Sequence, residues 1–271
     1  MPELPEVETT RRGIEPLLLG KTIDTVVVRN ASLRWPVPDC LAELLSGQSV
    51  QKVSRRAKYL LLGFERGTLI VHLGMTGHLR VIARHAARRK HDHVELHFAD
   101  GTALCFNDSR RFGAMLWTAD HPLQHPCLAG LGPEPFDDGF TAEHLYERAN
   151  RRTVAVKQFL MDAKVVVGVG NIYASEVLFR AGIDPRRSAG KIDMATCRRL
   201  ADAVRDVLGE ALDAGGTTIR DFADASGKPG YFQQQLRVYG RADQPCVVCQ
   251  GAISHFRQTQ RSTYFCPNCQ R

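Results

Sequence analysis

Four cysteines crowd the C-terminal end as "CVVC" at 246–249 and "CPNC" at 266–269, a C-x2-C-x16-C-x2-C pattern. That spacing suits one tetrahedral zinc ion, because each Cys-x-x-Cys knuckle wraps two sulfurs around one side of the metal and the residues between can form a β-hairpin. Redox-active pairs use the same motif, but they sit singly at a helix start beside a strand pattern. With Cys246, Cys249, Cys266 and Cys269 all bound, no coordination position remains for water. The expected zinc is therefore structural, holding a hairpin too small to fold alone. Arg257 and Arg261 lie between the knuckles, where they either solvate the finger or present a fixed cation to a phosphate.

The other end offers a nucleophile. The chain opens "MPELPEVE", and a small second residue permits removal of Met1, which would leave Pro2 with a free secondary amine. An α-amino group titrates near about 7.7–8, far below lysine, so a useful fraction is unprotonated at neutral pH. Condensed with an aldehyde or a sugar C1′, a secondary amine gives an iminium that has no N–H proton to lose and so persists as an electron sink. Glu3 and Glu6 are then candidates for proton transfer beside it, or merely favourable charges in the first turn of a helix.

These groups need elements to position them. Leu4, Val7, Ile14, Leu17 and Leu18 recur at helical spacing and Gly20 ends the run, which predicts a first helix. From Thr22 the period changes to two. "TIDTVVVRN", "SVQKVSRRAKYLLLGFE" and "GTLIVHLG" read as strands, and "HVELHFADGTALCF" reads as a hairpin with a type I′ turn at Asp100-Gly101. The basic run "RHAARRK" at 84–90 reads as a solvated loop between strands. After the Pro-rich "LGPEPFDDG" a period of 3.6 returns in "TVAVKQFLMDA", "GVGNIYASEVLFRAG" and "ATCRRLADAVRDVLGEALDAGG". The fold class expected is α+β, with a sheet-rich domain at 1–134, a helical domain at 135–240 and the cysteine finger at 241–271.

The net charge is +7, with 44% hydrophobic and 24% charged residues over 271 positions. This balance favours a polyanionic partner such as nucleic acid. No stretch reaches the roughly 20 apolar residues of a membrane span, and the first residues lack the basic and apolar regions of a signal peptide. Cys40, Cys105, Cys127 and Cys197 are scattered and read as small buried hydrophobes. The expectation is a cytoplasmic monomer.

Taken together, "PELPEVE", "RRAKYLLL", "HLGMTGHLR", "KHDH", "NDSRRFG", "VGVGNIYASEVLF", "GGTTIRDF" and the four-cysteine finger resemble the formamidopyrimidine-DNA glycosylases, bacterial base-excision repair enzymes, over essentially the whole chain. The resemblance implies a β-sandwich with an N-terminal helix, a helix-two-turn-helix domain and a zinc finger. It also implies excision of oxidised purines from double-stranded DNA and cleavage at the resulting abasic site. Pro2 matches the nucleophile that attacks C1′, Glu3 the acid that shuttles protons, and Glu6 a position that orders the site. Lys58, expected on a strand, matches a phosphate-holding lysine, and Arg261 the finger arginine that grips phosphates. Met75, Arg110 and Phe112 match a trio that fills the gap left by a flipped nucleotide; the alternative is that Met75 and Phe112 are core residues at strand ends. His91, Arg152 and Asn171 match contacts to the DNA backbone, and residues 217–240 resemble a loop that closes over the flipped base. Thr76, His78 and "RHAARRK" depart from the usual pattern. Leu4, where the sister endonuclease VIII group carries Gly, points to the purine branch. A pyrimidine-directed activity and a non-catalytic, zinc-dependent binder of damaged DNA are the alternatives.

Overall fold

Apolar residues on one side of the first helix decide how the first unit is built. In the computed structural model, which describes residues 2–215 and 236–271, α1 (Leu4–Leu18) buries Leu4, Val7, Ile14 and Leu18. It packs against β2 (Lys52–Arg56) and β3 (Tyr59–Phe64). Contacts divide the chain into two compact units, one formed by residues 2–129 and the other by 130–214 with the C-terminal segment.

The first unit is a β-sandwich of two antiparallel four-stranded sheets. One has the order β1 (Ile23–Val28), β6 (Asp92–Phe98), β7 (Thr102–Asn107), β5 (His78–Ala83); the other runs β2, β3, β4 (Gly67–His72), β8 (Ala114–Thr118). Alternation places Val94, Leu96 and Phe98 of β6 and Leu104 and Phe106 of β7 in a core shared with Leu60, Leu62, Leu69 and Val71 of the other sheet. A short helix, α2 (Leu41–Leu45), adds Leu41 and Leu45 to it.

Three expectations about this unit change, the first being that Cys40 is exposed rather than buried. The run "SVQKVSRRAKYLLLGFE" is two strands, because Arg56 pairs with Tyr59 across a two-residue turn. Ala57 takes the left-handed conformation there (φ 54°), and Lys58 lies on the turn rather than on a strand. The hairpin at 94–106 also lacks a type I′ turn. Only Gly101 has positive φ (84°), in a loop running from Phe98 to Thr102. The pairing of His97 with Ala103 leaves a loop of more than two residues, within which Asp100 accepts the Thr102 N–H (3.0 Å) and hydroxyl (2.6 Å).

The second unit is helical. Past α3 (Pro126–Ala129), α4 (Ala142–Ala149) is capped by the Thr141 hydroxyl; the sequence reading did not separate this helix. The helix-two-turn-helix element follows as α5 (Val156–Leu160), the turns at 161–170 and α6 (Asn171–Ala181), with Gly182 closing α6 in the left-handed conformation. α7 (Met194–Asp213) lays Leu200, Val204, Val207, Leu208 and Ala211 into a core with Tyr173, Val177 and Leu178 of α6. The final hairpin pairs β9 (Ser254–Gln258) with β10 (Arg261–Phe265). Its core is small: Phe179, Val238, Cys246, Ile253 and Cys266.

Candidate active site and nucleic-acid interface

The N-terminal residues are buried. Pro2, Glu3 and Glu6 all lie inside the first unit at the start of α1. Glu3 is the N-cap, and a capping box locks it: the Glu6 carboxylate accepts the Glu3 backbone N–H at 2.8 Å while the Glu3 side chain caps the Glu6 N–H. Two acids expected beside a nucleophile thus also fix the chain direction at that nucleophile.

Lys58 sits half-buried at the β2–β3 turn. Its charge is felt by His72 at the end of β4, a residue that sequence reasoning passed over. Burial, helped by the positive charges of Lys58 and Arg34, pushes the His72 imidazole down to about 4. The ring is therefore neutral at physiological pH, and its Nδ1 accepts the Gly74 N–H at 3.0 Å. That bond fixes the base of the turn carrying Met75.

Met75 and Phe112 are exposed, by 36% and 43%, so neither is a core side chain. Their loops touch backbone to backbone. Gly74 has φ 64°, and a Cβ there would lie 2.4 Å from the Phe112 carbonyl carbon and the Gly113 nitrogen, so only glycine fits. Arg110 lies over the Phe112 ring at 4.7 Å, a cation–π contact that presents guanidinium and phenyl together. His91 adopts φ 73° in the turn before β6. Buried Asp92 holds that turn, accepting Arg80 Nη2 (2.6 Å), Asn107 Nδ2 (2.7 Å) and the Arg89 N–H (2.7 Å). Burial alone would raise the Asp92 carboxyl, but the hydrogen bonds from Asn107, Arg89 and Arg80 outweigh it and hold the group below its usual range. The basic run at 84–90 is a loop whose arginine and lysine side chains at 88–90 are exposed.

Arg152, Asn171, Arg261 and the finger belong to the second unit. Asn171 and Arg261 line one cleft of about 310 Å³ with Lys157, Met161, Asp162 and Thr263. Asn171 opens α6, where backbone N–H groups and the helix dipole suit an anion. Its side-chain amide donates to Tyr239 Oη (3.4 Å), leaving Oδ1 with no partner among the described residues. Arg152 pairs with Asp162 at 3.2 Å at the edge of the same cleft. Lys157, 2% exposed, donates to the Ser262 carbonyl (3.0 Å) and the Thr263 hydroxyl (2.9 Å) and so holds the strand that carries Arg261. Glu176 of α6 accepts the N–H groups of Arg237, Val238 and Tyr239 (2.8–3.0 Å), anchoring the chain as it enters the finger. The loop expected at 217–240 lies, up to residue 235, outside the described residues.

The four finger sulfurs fall within 4.8 Å of one another, with Cys246–Cys269 at 3.9 Å and Cys249–Cys266 at 3.4 Å. A tetrahedral zinc with bonds of about 2.3 Å would hold its sulfurs about 3.8 Å apart, so this cluster fits one ion. The Gly251 backbone N–H, with the neighbouring thiols, brings the Cys249 thiol down to about 6, toward the thiolate that zinc binds. A side chain at Gly251 would strike Asn268 at 2.5 Å.

A β-sandwich in which a Glu3–Glu6 capping box follows the buried Pro2, a helix-two-turn-helix element and a four-thiolate finger define an α+β protein of the DNA-glycosylase class. Comparison with known proteins gives the particular lineage. Residues 1–115 match the formamidopyrimidine-DNA glycosylase N-terminal domain, 131–223 the H2TH domain of the same enzymes, and 243–271 the zinc finger found in FPG and IleRS. The formamidopyrimidine-DNA glycosylase of Methylococcus capsulatus is 57% identical over 271 residues, and that of Pseudomonas aeruginosa 54%, each covering both chains completely. A Lactococcus lactis FPG variant in complex with Fapy-dG-containing DNA superposes with a TM-score of 0.93 at 33% identity over 100% of both chains. The Thermus thermophilus protein superposes at 0.89 with 38% identity over 99% of this chain and 98% of its own. The chain belongs to the formamidopyrimidine-DNA glycosylase family.

Proposed function

We propose that this chain is a bifunctional glycosylase and abasic-site lyase that removes oxidised purines, 8-oxoguanine and formamidopyrimidines, from duplex DNA. The observation that carries the reading is the buried N-terminus, where the capping box of Glu3 and Glu6 fixes the position of Pro2. Relatives of the same fold are complexes with Fapy-dG DNA and with abasic-site DNA.

In this mechanism the Pro2 nitrogen attacks C1′, the C1′–N bond to the damaged base breaks, and Glu3 moves the proton that opens the sugar. The resulting iminium withdraws electrons from C2′. Loss of a C2′ proton then expels the 3′ phosphate, and a second elimination expels the 5′ phosphate. Glu6 orders Glu3. Lys58 and Arg261 hold phosphates; an arginine stays protonated, so its contribution to the second elimination is electrostatic. Met75, Arg110 and Phe112 fill the gap when the nucleotide leaves the stack, with the guanidinium facing the orphaned cytosine. His91, Arg152 and Asn171 bind the backbone, and the structural zinc keeps Arg261 on a rigid hairpin. Residues 1–134 serve catalysis, 135–240 DNA binding and lesion capping, and 241–271 the finger. The protein works as a monomer in the cytoplasm; its relatives at 57% and 54% identity are bacterial proteins.

Borohydride reduction with 8-oxoguanine or abasic DNA tests this. Wild-type protein is expected to give a covalent complex that Pro2→Gly loses. Equal trapping by both proteins would remove Pro2 from the mechanism.

A further inference from the structure

Asp108, the residue after β7, is fully buried in the first unit yet bonds to the Met75, Arg110–Phe112 and His91 turns. Its Oδ1 accepts the Thr76 hydroxyl (2.5 Å) and the Arg110 N–H (3.2 Å), and its Oδ2 accepts the Gly113 N–H (2.8 Å). Its own N–H donates to the His91 carbonyl (3.1 Å), and its carbonyl accepts His93 Nε2 (2.7 Å). Thr76 completes the tie, since its hydroxyl donates to Asp108 while accepting the Arg110 N–H at 3.1 Å. One side chain therefore joins the Met75 turn to the Arg110–Phe112 turn, and the same residue's backbone grips the His91 turn.

The turns need such a tie. Gly74, His91 and Arg111 all have φ between 57° and 73°, a region that costs energy for the two that are not glycine. Strained, exposed turns hold one shape only when surrounding bonds over-determine them. A carboxylate with no solvent around it forms charge-assisted bonds and has no water to exchange them for.

We propose that Asp108 and Thr76 are positioning residues that hold the two void-filling turns as one body, so that Met75, Arg110 and Phe112 enter the DNA together. This rests on the glycosylase reading above. Asp108 contacts no reacting atom in this scheme. Its effect falls on extrusion of the lesion, the step that must overcome base stacking, more than on bond breaking at C1′.

Thr76→Val tests the proposal because it removes one hydroxyl at nearly constant shape and leaves the Asp108–Gly113 bond in place. Single-turnover rates are measured on duplexes carrying 8-oxoguanine opposite cytosine and on duplexes carrying a preformed abasic site, where no base remains to unstack. The ratio of the first rate to the second should fall about tenfold, the size of one lost hydrogen bond to a charged group. Thr76→Ser, which restores the donor, should recover most of that ratio. A ratio unchanged in Thr76→Val, or one that Thr76→Ser fails to restore, would overturn the proposal while leaving the glycosylase reading intact. Wild-type protein that cuts neither duplex would sink both.

Discussion

The turns around Asp108 and the hairpin carrying Arg261 solve the same problem, holding exposed cations still, with different chemistry. The first set stands on a sandwich whose two sheets bury a large aliphatic and aromatic core. There a carboxylate, a hydroxyl and a neutral histidine are enough to fix the shape. The second stands on five buried residues, two of them cysteines. A two-stranded hairpin of that size is marginal in water, so four thiolates and a metal replace the missing core. The cost of ordering an interface element is met by whatever the local fold can supply.

Removing the metal should break the comparison most sharply. Structural zinc contributes on the order of 10 kcal/mol or more to a finger's folding. Chelation or Cys266→Ser should therefore unfold residues 241–271 and abolish DNA binding. Circular dichroism should still report the cooperative melt of the first unit. A single transition that vanishes whole would show that the two regions are not separately supported.

A smaller effect separates the two in pH. His72 has a folded pKa lowered to about 4 against 6.5 when unfolded, so the unfolded state binds the extra proton between those values. The stability that comes from keeping the ring neutral is complete above about pH 6.5 and is lost as pH falls toward 4, amounting to at most about 3 kcal/mol. Denaturant melts of the first unit should show that slope, and His72→Gln should flatten it. A wild-type curve that is flat across this window would contradict the neutral-histidine role.

The smallest expected change lies in the second unit. Lys157→Met keeps the length of a buried side chain but strands the acceptors at Ser262 and Thr263, costing about 1–3 kcal/mol. Hydrogen exchange in β10 should accelerate while exchange in β3 and β4 stays as in the wild type. Equal protection of β10 in both proteins would mean that the metal alone fixes the hairpin.

How much of this could be read from residues alone follows from the range of each interaction. α1, α7 and β1, β4, β6 and β7 were legible because their signals are local periods, whereas β5 and β8 went unread. The zinc ligands were legible because spacing alone makes two knuckles. The role of Lys58 came from resemblance alone, since a turn lysine carries no local signature, whereas Pro2 and Arg261 were legible as a free amine and a finger cation that resemblance narrowed to one reaction. The Ala57-Lys58 turn was hidden because it contains none of the usual turn residues, and β2 and β3 therefore read as one run. Asp108 and Thr76 are 32 positions apart and Lys157 and Ser262 are 105 apart. Nothing periodic links either pair, and an Asp in "NDSRR" looks like an ordinary turn former. His72 likewise reads as a strand-end residue until its partner Gly74 is seen in place.

The central claim is that the processed N-terminal nitrogen bonds to the sugar, and peptide mapping of the borohydride-reduced complex by mass spectrometry addresses it most directly. The account predicts the deoxyribose remnant on a peptide beginning at Pro2, with Met1 absent. A remnant on Lys58 or any other lysine, or active protein that still carries Met1, would contradict it.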